Sequence, residues 1–205
     1  MFAPLMGRRR PNRAALGAAC AIAAVALPGC GGGERQDANE ARGSYKVDIV
    51  EASFPTGQSL SERTTMRIRV RNGGKRTVPD VAMTVKTRPK QPGGAPAAFG
   101  QAVDDSRLAD PQRPIWIVDA IPEGGTTAYT NTWALGRLAP GQSKTFSWTV
   151  TPVEAGRYAI DYEVAPGLDG KARLASGSRG KGTFRVTIDD DPAAARVGDD
   201  GEVLR

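Results

Sequence analysis

The chain is 205 residues long, the size of one domain or at most two, with no histidine and two cysteines. Without histidine, the commonest general base, the Ser-His and Cys-His nucleophile pairs and the ordinary zinc ligand sets are excluded, and two cysteines build no disulfide framework. The formal charge of +6 falls to +2 once Arg8, Arg9, Arg10 and Arg13 leave with the leader segment described next, so a nucleic-acid partner loses its electrostatic basis.

Met1 to Arg13 is basic, Ala14 to Leu27 is apolar, and Leu27-Pro28-Gly29-Cys30-Gly31-Gly32-Gly33 follows. This is the three-part layout of an export signal. The apolar stretch would extend about 21 Å as a helix, short of the roughly 30 Å hydrocarbon layer, so a cleaved leader over residues 1–29 is expected rather than a permanent span. The Leu27, Gly29 and Cys30 positions resemble a bacterial lipoprotein signal, although Pro28 departs from the small residues common before the cysteine. The resemblance implies a thioether-linked lipid on Cys30, cleavage before it, and a protein held at the outer side of the cell membrane. A thiolate has the nucleophilicity that linkage needs. Cys20 leaves with the leader, and the mature chain then has no disulfide. Residues 30–43 are Gly-rich, polar and without periodicity, and read as a flexible tether.

From Ser44 to Ile188 the apolar period is two. Tyr45, Val47 and Ile49 alternate with polar neighbours, as do Met66, Ile68 and Val70, then Val81, Met83 and Val85. Asn72-Gly73-Gly74-Lys75 is expected to make a tight connection through positive-φ glycines. Arg88 to Arg113 is a Pro/Gly-rich excursion, too long for a spacer loop, followed by a strand at Pro114–Asp119. Beyond Leu138-Ala139-Pro140-Gly141 come Phe146, Trp148 and Val150, then Tyr158, Ile160, Tyr162 and Val164, then Phe184, Val186 and Ile188, each alternating with polar residues. No stretch has a helical stripe of useful length. The fold class is therefore all-β: a single immunoglobulin-like antiparallel β-sandwich over 44–188 with a long Pro/Gly-rich insertion. Residues 189–205, with two Arg against six acids, are expected to be a disordered acidic tail.

Three segments carry a second resemblance: Ile68-Arg69-Val70-Arg71-Asn72-Gly73-Gly74, Leu138-Ala139-Pro140-Gly141, and Gly156-Arg157-Tyr158. They are similar to the "V-x-V-x-N-x-G" strand end, "L-x-P-G" turn and "G-x-Y" strand opening of CARDB-type bacterial surface domains. The resemblance implies a surface-exposed, noncatalytic binding or spacer module.

A ligand, if one is bound, is sought in the region 88–137, where Tyr129, Trp133 and Trp116 stand with Asn131, Arg88 and Arg113. Aromatic faces beside a few polar groups suit sugars and small ligands, while buried tryptophans would instead be core. Asp161 and Glu163 share a strand face about 7 Å apart and are candidates for carboxylate hydrolysis by type alone, but a solvated polar face explains them without catalysis. Ser143 and Lys144 point to opposite faces and make no nucleophile pair. No metal site or cofactor is expected. The reading is a membrane-tethered binding module of the cell envelope with an envelope protein as partner. A glycan or small-ligand binder and a carboxylate hydrolase are the alternatives.

Overall fold

The computed structural model describes residues 40–88, 97–100 and 114–192, together with the backbone of 196–197 and 203–204. The leader, Cys30, most of the tether and Arg113 lie outside the described residues. In chain order the strands are β1 (Gly43–Tyr45), β2 (Val47–Ser53), β3 (Gly57–Leu60), β4 (Thr64–Asn72), β5 (Ala82–Thr87), β6 (Phe99–Gly100), β7 (Trp116–Ala120), β8 (Thr126–Tyr129), β9 (Thr132–Ala134), β10 (Ser143–Pro152), β11 (Gly156–Ala165), β12 (Ala172–Leu174), β13 (Lys181–Pro192), β14 (Arg196–Val197) and β15 (Val203–Leu204). They form a five-stranded sheet, β2-β4-β10-β7-β6, and a six-stranded sheet, β3-β13-β11-β5-β9-β8.

The two-residue alternation decides which face each sheet buries. Met66, Ile68 and Val70 of β4 and Phe146, Trp148 and Val150 of β10 are fully buried, as are Met83, Val85 and Ile160 from the other sheet. Aromatic rings bridge the layers: Trp133 meets Trp148 at 5.4 Å, Phe99 meets Trp133 at 5.7 Å, and Trp116 meets Tyr158 at 5.8 Å between centroids. The architecture is therefore the expected all-β sandwich. Its central pairs are antiparallel, but β1–β12, β3–β13 and β6–β7 are parallel. Those pairs join strands distant in sequence or separated by a long connection, which parallel pairing requires and local alternation cannot reveal.

Three boundaries differ from the sequence reading. The end of the supposed tether is bound: the Glu40 carboxylate accepts backbone N–H bonds from Leu168 at 2.6 Å, Asp169 at 2.8 Å and Ala172 at 2.6 Å. Gly167 permits this close approach, since a Cβ there would collide with the Glu40 carboxylate. At the other end the strand outruns Ile188: Asp189 stays in register with β3, and β14 pairs with β15. Backbone pairing needs no apolar side chain, so an acidic composition did not end the strand. Within the Pro/Gly-rich excursion, Ala97 and Ala98 accept bonds from Ile115 and Trp116, which places Phe99 in the core.

The connection after β4 is also made differently from the expectation. Gly73 and Gly74 do not take positive φ; the buried Asn72 amide does the work instead. Its Nδ2 donates to Arg76 O at 2.8 Å and Leu138 O at 2.9 Å, and its Oδ1 accepts from Gly74 N at 2.9 Å. Its backbone carbonyl accepts from Gly141, which has the φ of 74° that the Pro-Gly turn requires. One side chain thus ties the β4 end to the turn before β10.

Asn72→Ala leaves buried backbone groups without partners and is expected to cost about 2–3 kcal/mol in urea unfolding at unchanged m-value. Asp80 gives a pH-dependent counterpart. Burial pushes its carboxyl above the usual range, more than the Gly136 N–H bond and nearby Lys144 lower it. The folded state therefore holds this proton more tightly than the unfolded chain, so the linked stability is present below the unfolded pKa and lost as pH rises through the folded one. Asp80→Asn keeps the acceptor and removes the charge; it is expected to raise Tm at pH 7, with the gain vanishing below about pH 4.

Candidate functional site

The structure divides the six residues proposed from sequence. Trp116 and Trp133 are 0% and 5% exposed, so neither offers a ring face to a ligand, which corrects their assignment to a binding groove. Trp116 Nε1 donates to the buried Gln58 Oε1 at 2.7 Å, an internal partner rather than an external one. Tyr129 and Asn131 lie on the β8–β9 hairpin at the sheet edge, where Tyr129 is 49% exposed and Asn131 takes a φ of 57° to make the turn. Trp116 and Trp133 are buried in the core, so neither joins Tyr129 in an exposed aromatic platform. Arg113 lies outside the described residues. Arg88 lines two adjoining depressions.

Both depressions lie on the outer face of the six-stranded sheet. Register builds them row by row. Glu163 of β11 lies between Thr84 of β5 and Lys181 of β13; Asp161 lies between Lys86 and Thr183; Ala159 lies beside Arg185 and accepts the Arg88 backbone N–H at 3.0 Å. One row further, Arg157 faces Thr187. Because alternate residues share a face, the polar half of each period-two strand converges here while the apolar half fills the core. Ala159 and Ala165, being small, leave the floor low.

Arg88 is held in place. Its Nε donates to Asp161 Oδ2 at 2.6 Å and its Nη2 to Thr183 Oγ1 at 3.2 Å, while Thr183 Oγ1 donates to Asp161 Oδ1 at 2.5 Å. The Arg88 hydrogen bond holds the Asp161 carboxyl below the usual carboxylate range despite some opposing desolvation, with Thr183 adding to the effect. Asp161 therefore serves as a fixed anion and not as a proton donor near neutrality. Lining the two depressions on this face, five cations, Lys86, Arg88, Arg157, Lys181 and Arg185, stand against Asp161 and Glu163. Among the described residues no group of three or more His, Cys, Asp or Glu could hold a metal ion.

The opposite outer face is different. Arg67, Arg69 and Arg71 of β4 are flanked by Ser53, Glu51 and Asp48 of β2 on one side and Ser147, Thr145 and Ser143 of β10 on the other. The arginine stripe noticed in the sequence is thus a row in a polar, acid-bordered sheet surface.

Sequence reasoning missed Lys86, Arg157, Lys181 and Arg185. Their signal was present as the polar half of the alternation, but only the order β13-β11-β5 assembles them. Trp133→Ala is expected to destabilise the fold by about 3–5 kcal/mol, whereas Tyr129→Ala should change stability by less than about 1 kcal/mol, both read by thermal or urea unfolding.

No protein-family model matches the chain, and no curated protein matches it. Among solved structures it is similar to the CARDB domain of a Pyrococcus furiosus protein in complex with di-metal ions, at 16% identity, covering 71% of this chain and 94% of that one with a TM-score of 0.43. It is also similar to native alpha-2-macroglobulin from Escherichia coli, at 10% identity over 72% of this chain and 17% of that one, TM-score 0.41. A beta-glucosidase from Listeria innocua in complex with glucose is 13% identical over 73% of this chain and 17% of that one, TM-score 0.40.

Proposed function

We propose that this chain is a noncatalytic binding module of a bacterial cell envelope, exported by the leader 1–29 and held at the outer side of the membrane by a lipid on Cys30. It engages an envelope protein through the outer face of the six-stranded sheet. The observation that carries the reading is the make-up of that face: Arg88 fixed by Asp161 and Thr183, within a row of exposed cations over a floor of alanines. Fixed charge on rigid strands favours recognition of a partner surface, because little ordering is lost on association. The basic leader, the apolar run and the spacing of Leu27, Gly29 and Cys30 support the address.

In-membrane crosslinking with mass spectrometry tests both parts. The full chain is expected to give one dominant crosslinked protein. Ala159→Glu should abolish it with the fold intact, and Thr145→Glu, on the other sheet, should leave it unchanged. Cys30→Ala should move the protein out of the membrane fraction. A crosslink indifferent to Ala159→Glu overturns the assignment of this face, and unchanged membrane partition of Cys30→Ala overturns the anchor.

A further inference from the structure

Toward the β3 side of the same face three arginines gather around one alanine, with Asp189 of β13 one outward position beyond Thr187. Arg88, Arg157 and Arg185 line a second depression with Ala159, Thr56, Gly57 and Thr187, adjoining the first through Arg88. Ala159 stands between Arg88, the residue after β5, and Arg185 of β13, about 5 Å to either side, and Arg157 is about 7 Å along β11 on the same face. All three arginines line one depression around this alanine.

The charges here are unequal. Arg88 has its Nε and Nη2 engaged by Asp161 and Thr183, which leaves Nη1 for a ligand. Among the described residues Arg157 and Arg185 have no ion-pair partner, and both are exposed. The cluster thus carries an excess of two positive charges after Arg88 is balanced by Asp161. A carboxylate would neutralise half of that excess. A phosphate monoester carries about −1.5 to −2 at neutral pH and presents three oxygens to forked donors, a match in both charge and geometry.

We propose that the Arg88–Arg157–Arg185 cluster is a binding site for a phosphate monoester carried on a water-soluble molecule. The inference rests on the reading of this face as the recognition face and adds the chemical class it accepts. A bilayer headgroup is the poorer occupant: among the described residues the exposed large apolar ones, Val50, Ile121, Tyr129 and Val153, do not line the depression, so none of them would carry it into a lipid layer.

The test is a titration of the full-length, 15N-labelled protein in detergent micelles with inorganic phosphate at constant ionic strength set by chloride, following the amides of Gly57, Ala159 and Thr187. Saturable shifts are expected, with Arg157→Ala and Arg185→Ala each weakening the apparent affinity about tenfold, and Arg69→Ala, on the opposite face, leaving it unchanged. Unfolding curves of the variants confirm that all remain folded. The proposal is overturned by the lack of saturable shifts, by an equal loss in Arg69→Ala, which would reduce the effect to net charge, or by binding to phosphatidic acid vesicles without binding to soluble phosphate. Failure of the recognition face would show instead as the intact crosslink in Ala159→Glu, a separate readout from this titration.

Discussion

The contact on which the rest of the structure depends is the aromatic seam between the sheets. Trp148 of β10 touches Trp133 of β9, and Phe99 of β6 touches both of them and Trp116 of β7. Phe146 stacks on Trp148 from the same strand at 5.8 Å. Each ring buries on the order of 150–250 Å², so these few side chains supply much of the apolar burial that a chain with only 6% aromatic residues can muster. Burial has a polar cost. The indole N–H of Trp116 is satisfied by Gln58, whereas those of Trp133 and Trp148 have no hydrogen-bond partner among the described residues. Geometry that closes the sheets is favoured over complete polar pairing at this seam.

Polar clasps then organise what the seam leaves open. Asn72 joins the end of β4 to the turn before β10 from inside the protein, and Glu40 joins the incoming N-terminal segment to the 167–172 loop. A third clasp opens β11, where the Tyr158 hydroxyl lies 2.9 Å from Ala155 O and 3.0 Å from Glu154 Oε1, with desolvation and the Glu154 neighbour pushing its pKa up to about 12. In each case one side chain satisfies groups that a loop would otherwise bury unpaired.

With the core closed, chemistry is left to the outer faces, and the two faces diverge. On the five-stranded sheet the arginines of β4 stand beside acids of β2 and hydroxyls of β10. On the six-stranded sheet the cations outnumber the acids, and two alanines keep the surface low at the centre. The difference arises from strand order rather than composition, since both sheets draw arginine from similar alternating segments.

Alternation by itself determined the all-β class, the inward residues of β4, β10, β11 and β13, and the Pro-Gly turn at Gly141, because each depends on neighbours within a few positions. Tertiary structure decided the rest. Whether Trp116 and Trp133 face a ligand or a core depends on which sheet lies opposite, and a tryptophan in a strand reads the same in both cases. The parallel pairs of β1, β3 and β6 depend on strands far away in the chain, and the Glu40 clasp joins residues more than 120 positions apart. The cationic face exists only because β13, β11 and β5 are adjacent. Their outward residues are unremarkable within each strand and acquire a common field only when register brings them within a few ångströms of one another.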